Sequence, residues 1–363
     1  MRIVIFERVL THYRLKFFNY LCKNYNLKIV FLTKEIPKRE GFNTDKNLAN
    51  FEIIKLKNFS LFGLEFYFIP FEILKSNRHF IFLLSFKSIS NFIYLVITRL
   101  SGKKFYWWGH SKNFSKNTFS SKISDKIKIK LINYSTGVLA YTDLEKKRFI
   151  DKKIKPNKII VLNNTVDTSN INDINEKLKL EKLDQIKTKY DLSSKVVIGL
   201  IGRLHKLRNC DIAIETFLKL KKKYNNISLL IIGGGTELES LKERFKNKDV
   251  NFIGSIENEK ELAPIINNID FFINPGLVGL NIIHCMAYGK PTITIQRDFH
   301  SPEIDYLQCG INGFISKDEK DFYLKIEELI NDSVKLYNLS KNCLKKSKKL
   351  SIDNMAKNFI NII

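Results

Sequence analysis

Two arginines stand five residues apart just beyond an apolar run, in Gly199-Leu200-Ile201-Gly202-Arg203-Leu204-His205-Lys206-Leu207-Arg208-Asn209. Paired guanidiniums on one loop suit a diphosphate, because each presents a planar fork of donors that matches phosphate oxygens. Two further segments also lie between a β-rich run and a helical one. Gly233-Gly234-Gly235-Thr236-Glu237 lets the backbone approach a ligand closely, and the helix start that follows favours negative charge; a tight turn explains the glycines equally well. Asn274-Pro275-Gly276-Leu277-Val278-Gly279-Leu280-Asn281 turns on Pro-Gly and opens a helix whose first N–H groups suit a phosphate. That helix carries His284, suited either to ligand contact or to packing. It closes at Gly289, before Pro291 begins the next strand. The dinucleotide fingerprint Gly-x-Gly-x-x-Gly is absent, which argues against a nicotinamide enzyme.

The elements that must hold these loops are legible as alternation of short apolar runs with amphipathic stretches, the pattern of β-α repetition around parallel sheets. Strands are expected at Arg2–Phe6, Leu27–Leu32, His79–Leu83, Lys104–Trp108, Gly137–Tyr141 and Lys158–Leu162, with helices at Tyr13–Asn24 and Leu144–Ile150. From Thr168 to Ser194 the chain turns polar and reads as a linker with one amphipathic segment, Ile174 to Tyr190. The pattern then restarts with Val196–Ile201, Ser228–Ile232, Val250–Ile253, Asp270–Asn274 and Pro291–Ile295. Two doubly wound α/β domains are expected: residues 1–167, then a linker at 168–194, then residues 195–349. Such sheets bind ligands beyond the carboxyl ends of their strands, where the arginine and glycine loops fall.

A length of 363 residues agrees with two domains. With 44% hydrophobic and 27% charged residues, a disordered, collagenous or disulfide-stapled protein is excluded. The five cysteines are scattered, form no Cys-x-x-Cys pair and are expected as buried free thiols; no clustered ligand set suggests a metal. No apolar run reaches the ~18 residues of a membrane span. The nearest, His79 to Leu100, is broken by Lys87 and several polar residues, and Glu7 and Arg8 interrupt the apolar start. A cytoplasmic protein is expected. The net charge is +24, of which residues 1–180 carry +19. Such asymmetry points to a polyanionic partner, whether nucleic acid, anionic lipid or a phosphate-bearing substrate. No zinc-finger spacing, basic zipper or aromatic RNA-binding signature is present, so nucleic acid is not expected.

The ordered set Gly-Arg-Leu-x3-Arg-Asn, Gly-Gly-Gly, Val-Asn-Phe-Ile-Gly and Pro-Gly…Gly-Leu…Met-Ala-x-Gly-Lys-Pro resembles glycosyltransferase family 4, retaining enzymes of the GT-B fold. The resemblance is strong over about residues 195–315. In the first half, Thr11-His12-Tyr13-Arg14-Leu15-Lys16-Phe17-Phe18, Trp108-Gly109-His110 and Gly137–Tyr141 with Thr142 and Glu145 look like family segments; Ser351–Ile363 looks like a terminal helix that crosses back onto the first domain. The resemblance implies two Rossmann-like domains facing a central cleft. It also implies transfer of a sugar from a nucleotide-sugar to a saccharide acceptor, with retention of configuration and no metal or other cofactor.

Carried across by position, Arg203 and Arg208 match the basic pair that neutralises the donor diphosphate. Gly276, Val278, Gly279 and Leu280 match the loop whose amides hold phosphates. Gly202, Gly233, Gly234 and Ile256 match the surroundings of the nucleotide. His110 is the candidate near the donor sugar and His12 the candidate near the acceptor. The family usually has two glutamates eight positions apart, where this chain has Gly276 and His284; Glu303 is a candidate replacement carboxylate, with a solvated loop acid as the alternative. The bacterial surface-polysaccharide form of the resemblance, with the basic first half, implies a lipid-linked acceptor and peripheral work on the anionic inner face of the cytoplasmic membrane. The competing expectations are a GT-B sugar-nucleotide epimerase, disfavoured by the scarcity of acidic cleft candidates, and a non-catalytic scaffold partner, suggested by the missing glutamates.

Overall fold

The structure, a computed structural model, describes residues 2–35, 48–111, 119–192, 196–246 and 249–362. Residues 193–195 and 363, which fall in the expected linker, second domain and terminal helix, lie outside the described residues. The chain divides into two units, Met1–Asp167 with Ile352–Ile363, and Thr168–Ser351.

The first unit runs β1 (Arg2–Val9), α1 (His12–Tyr25), β2 (Lys28–Glu35), β3 (Glu52–Lys55), β4 (Asn58–Leu61), β5 (Leu64–Tyr67), α2 (Phe71–Ser76), β6 (His79–Leu83), α3 (Ile89–Leu100), β7 (Lys104–Gly109), α4 (Phe119–Tyr134), β8 (Gly137–Ala140), α5 (Asp143–Asp151) and β9 (Ile159–Val161). Seven strands form a parallel sheet in the order β3-β2-β1-β6-β7-β8-β9, and β4-β5 is a separate antiparallel hairpin. Apolar runs such as Ile3–Phe6 and Phe105–Trp108 are buried residue after residue, as a sheet covered on both faces requires.

The second unit runs α6 (Ile171–Glu176), α7 (Leu180–Lys189), β10 (Val196–Ile201), α8 (Cys210–Lys221), β11 (Ile227–Ile232), α9 (Leu238–Arg244), β12 (Asn251–Gly254), α10 (Glu259–Asn267), β13 (Phe271–Asn274), α11 (Asn281–Ala287), β14 (Thr292–Ile295), β15 (Gly313–Ser316), α12 (Glu319–Asn331) and α13 (Ser333–Lys349). Its sheet is parallel in the order β12-β11-β10-β13-β14-β15, so the strand order reverses between β10 and β13. A last helix, α14 (Ile352–Ile360), returns to the first unit, where Ile352, Met355, Ala356 and Phe359 pack in one core with Phe17 and Trp108. The Tyr106 hydroxyl donates to the Ile362 carbonyl at 2.9 Å, closing that contact.

Two expectations are corrected. The stretch 168–192 is part of the second unit rather than a free linker: Ile171 and Leu192 are buried in its core, with Ile174, Ile186 and Tyr190 packed against them. Those five apolar residues among many charges were enough to anchor the stretch. The thiols also differ from one another. Cys210, Cys285 and Cys343 are buried, but Cys22 is half-buried and Cys309 is exposed.

Candidate functional site

The β10–β13 reversal opens a crevice at the carboxyl ends of the second sheet, and the arginine and glycine loops both start there. Backbone bonds lace the strand ends together. Gly202 N–H donates to the Ile232 carbonyl at 2.9 Å, Leu204 N–H to Gly234 at 2.8 Å, and Gly233 N–H to Gly254 at 2.8 Å. The loops after β10, β11 and β12 thus lie side by side, bringing Gly202, Gly233 and Gly234 together. Ile256, two residues beyond Gly254, packs partly buried against the adjoining core.

Arg208 ends a short turn and folds back beneath its own loop, with Nη1 3.4 Å from the Ile201 carbonyl. It is 7% exposed. Burial lowers its guanidinium pKa below the ordinary value, yet arginine remains charged in proteins. Its Nε–H has no acceptor among the described residues. A buried cation with an unused donor is poised for an anionic partner. Arg203 is exposed. Between the two, His205 is held below its usual pKa by burial and then by both guanidiniums, Arg208 and Arg203.

The two loops are in backbone contact. Leu277 N–H donates to the Leu207 carbonyl at 2.7 Å. A Cβ on Gly276 would overlap the carbonyls of Leu207 and Arg208. That close approach is why glycine stands here, and it physically accounts for the absence of a larger residue. Gly202, at φ +129°, lies equally close: a Cβ there would come within 2.6 Å of Arg208 Nη2 and overlap the Asn281 side chain. Asn281 Nδ2 donates to the Ile201 carbonyl at 3.0 Å, tying the start of α11 to β10. A small, partly open cavity of about 10 Å³ lies among Arg208, Asn274, Val278, Gly279 and Asn281. It has room for roughly one water.

Within the glycine loop the amides divide. Leu277 N–H and Val278 N–H are bound inside the protein, the latter to His300 Nδ1 at 3.1 Å. No acceptor is found among the described residues for the Gly279 and Leu280 amides, which leaves them for a ligand. Glu303 is 4% exposed in a short turn, Pro302–Tyr306, that packs on α11. It is a buried carboxylate beside the loop's helix, not a solvated loop acid.

His284 is held by a partner that pattern reasoning missed. Its Nε2 lies 3.0 and 3.1 Å from the two carboxylate oxygens of Glu259, in the first turn of α10, and Tyr288 donates to the same carboxylate at 2.5 Å. Burial and the carboxylate together push the Tyr288 hydroxyl well above its ordinary pKa. The imidazole is therefore oriented from one side by an acid, with Glu259 25 residues away in sequence. His284→Ala should weaken nucleoside diphosphate binding on the order of tenfold while removing one partner of Glu259. Unchanged affinity by calorimetry would return His284 to a packing role.

In the first unit His12 opens α1 and is exposed, with its ring edge-on to Tyr13 at 5.6 Å. His110 follows β7 and is half-buried, 6.0 Å from the Tyr141 ring. Arg14 packs among the aromatic neighbours of both: 2% exposed, it stacks 3.7 Å over Trp108 and lies 5.5 and 5.9 Å from the Tyr13 and Tyr141 rings. Its guanidinium also lies 3.2 Å from Glu7 and 3.2 Å from Asn164 Oδ1. Burial raises the Glu7 carboxyl above its ordinary pKa, opposed by the Arg14 charge. Under His110, Ser111 N–H donates to the fully buried Glu145 at 2.6 Å, and Glu145 N–H is capped by Thr142 at 3.1 Å. The Thr142-x-x-Glu145 spacing was the visible signal of that cap; nothing local marked Glu7 as the partner of Arg14. Among the described residues no three His, Cys, Asp or Glu side chains converge as a metal site.

Residues 195–332 match the family model described as Glycosyl transferases group 1. An uncharacterized glycosyltransferase of Methanocaldococcus jannaschii is 24% identical over 95% of this chain and 88% of its own length. The Staphylococcus aureus capsular polysaccharide biosynthesis glycosyltransferase CapM is 29% identical over 54% of this chain and 53% of its own. Among solved structures, Anabaena HepE in complex with UDP superposes with a TM-score of 0.72 at 13% identity, covering 100% of this chain and 99% of that one. The fold is GT-B.

Proposed function

We propose that this chain, a glycosyltransferase of the group 1 type that uses a nucleotide-sugar, transfers the sugar with retention of configuration to a lipid-linked saccharide during cell-surface polysaccharide synthesis. The observation that carries the donor half is the Arg208 turn, buried and seated on Gly276 at the strand-order reversal of the matched segment. Departure of a nucleoside diphosphate builds negative charge on the β-phosphate. Arg208, the more exposed Arg203 and the Gly279 and Leu280 amides stabilise that charge, each charge-assisted contact contributing about 1.5–3 kcal/mol. His110 serves near the donor sugar and His12 near the acceptor hydroxyl. The reaction needs no metal when guanidiniums carry this charge.

The acceptor half draws support from the surface of the first unit. On α3, Ile93, Val96, Ile97 and Leu100 recur at i, i+3, i+4 and i+7 and are all exposed. This helix packs on the β4-β5 hairpin, whose turn residue Phe62 is 95% exposed, with Phe59, Leu61 and Phe68 also outward. Exposed Lys55, Lys57, Lys75, Arg78, Lys87 and Lys104 lie in other elements and loops of the same unit. Exposed apolar side chains in a unit rich in exposed cations suit an anionic bilayer surface, where each basic group contributes about 1 kcal/mol. No described helix is long and apolar enough to cross a membrane.

Sugar transfer and thermal shift with UDP-, GDP- and dTDP-sugars test the donor half. Binding without turnover across the panel would favour a scaffold partner. For the surface, co-sedimentation with anionic vesicles at low salt should fall about tenfold in the double variant Phe62→Glu, Ile97→Glu. Equal partition of the unaltered protein to neutral and anionic vesicles, or none to either, would overturn the membrane reading.

A further inference from the structure

We infer that His300 is a positioning residue for the donor loop, through a clamp on the Val278 peptide; the inference rests on the donor reading above. His300 is 2% exposed. Its Nε2 lies 2.8 Å from the Ile295 carbonyl at the end of β14, and its Nδ1 lies 3.1 Å from the Val278 amide. The partners fix the tautomer. A carbonyl only accepts, so Nε2 carries the proton, and Nδ1 presents its lone pair to the Val278 N–H. The neighbouring Ser301 N–H donates to the Val278 carbonyl at 3.0 Å. Both polar atoms of Val278 are therefore held by consecutive residues of the β14 loop, and its side chain is 2% exposed.

The consequence falls on the next two residues. Gly279 has no side chain to stiffen its backbone, yet its amide and that of Leu280 are the ones left for phosphate oxygens. The Gly279 N–H shares a peptide plane with the Val278 carbonyl that Ser301 holds, and His300 holds the peptide before it, so the Gly279 donor keeps its direction and the chain enters Leu280 from a fixed point. Preorganised donors of this kind act without reorganising when charge arrives. His300 touches no ligand in this scheme and works through Val278.

Three substitutions separate the two bonds. His300→Asn places an amide oxygen near the Nδ1 position and keeps an acceptor for Val278. His300→Gln places its amide nitrogen near Nε2 and keeps the Ile295 bond alone, and His300→Ala keeps neither. The readouts are affinity for the tightest of UDP, GDP and dTDP by calorimetry, the split of KM and kcat for the corresponding sugar nucleotide, hydrogen exchange of residues 277–282, and Tm. The expected result is a KM rise and affinity loss on the order of tenfold in Ala and Gln, with faster exchange at Val278 and Gly279, and recovery of most of both in Asn. Wild-type affinity in Ala and Gln overturns the inference, as does equal loss in all three variants. Failure of the unaltered protein to bind any of the three nucleotides counts against the donor site itself, and is recognised separately from a clamp that fails to alter exchange.

Discussion

Replacing Arg208 by alanine is expected to lower kcat/KM by about 10²-fold or more with little change in the substrate-free fold. The side chain is buried, charged and short of acceptors, so removing it takes away a cation already desolvated at the loop pair. A charge in such surroundings interacts more strongly with developing negative charge than one in water. Arg203→Ala should cost less, because Arg203 is exposed and its contact is screened by solvent. Arg208→Lys keeps the charge but loses the fork, and should fall between wild type and alanine. The measurements are steady-state kinetics on the best donor, with Tm as the control for folding. Turnover at the wild-type rate in Arg208→Ala would show that the diphosphate lies elsewhere.

Gly276→Glu is expected to be still more damaging, although it installs the glutamate that the family resemblance implies at this point. The added Cβ would overlap the carbonyls of Leu207 and Arg208, and backbone atoms cannot swing aside as a flexible side chain does. The Arg208 turn would have to move, carrying the guanidinium with it and breaking the Leu277–Leu207 bond. Gly276→Ala should show much of the same loss, since the first added carbon already clashes. We expect both variants to lose at least about 10²-fold in turnover and to bind nucleoside diphosphate weakly. His284→Glu adds no atom to this backbone contact; its cost comes instead from setting a second carboxylate against Glu259. Gly276→Glu with normal turnover would mean that the turn adapts and the carboxylate is useful here after all.

Much of the scaffold was legible because its strands are buried on both faces. Val196–Ile201 and, after His79, Phe80–Leu83 are apolar runs, and Val196–Ile201 and His79–Leu83 form strands over those bounds. Where exposure dilutes the pattern, the signal fails. Asn58–Leu61 is exposed along its whole length, and β3 is a short edge strand. Strand β15, Gly313–Ser316, is short and bounded by a glycine turn. At the site, loop position was readable from strand ends, so Arg208 and Gly276 could be found. Their mutual contact could not, because it joins backbone atoms of residues 68 apart or more. The same holds for Glu259 beneath His284 and for His300 behind Val278: each is an ordinary residue in its own loop, and gains its role only when parallel strands bring loop ends together.

The return of α14 to the first unit sets an order of events during synthesis. All of the second unit, Thr168–Ser351, leaves the ribosome before the helix that completes the first. Until then the hollow lined by Phe17 and Trp108 lies open to water, and Phe359, Met355 and Ile352 are not there to fill it. Each of those side chains contributes about 1.5–3 kcal/mol when buried, a large share of the stability of a single domain. The nascent first unit therefore waits, partly uncovered, while a complete second sheet is made. The unit that emerges first is the last to be sealed.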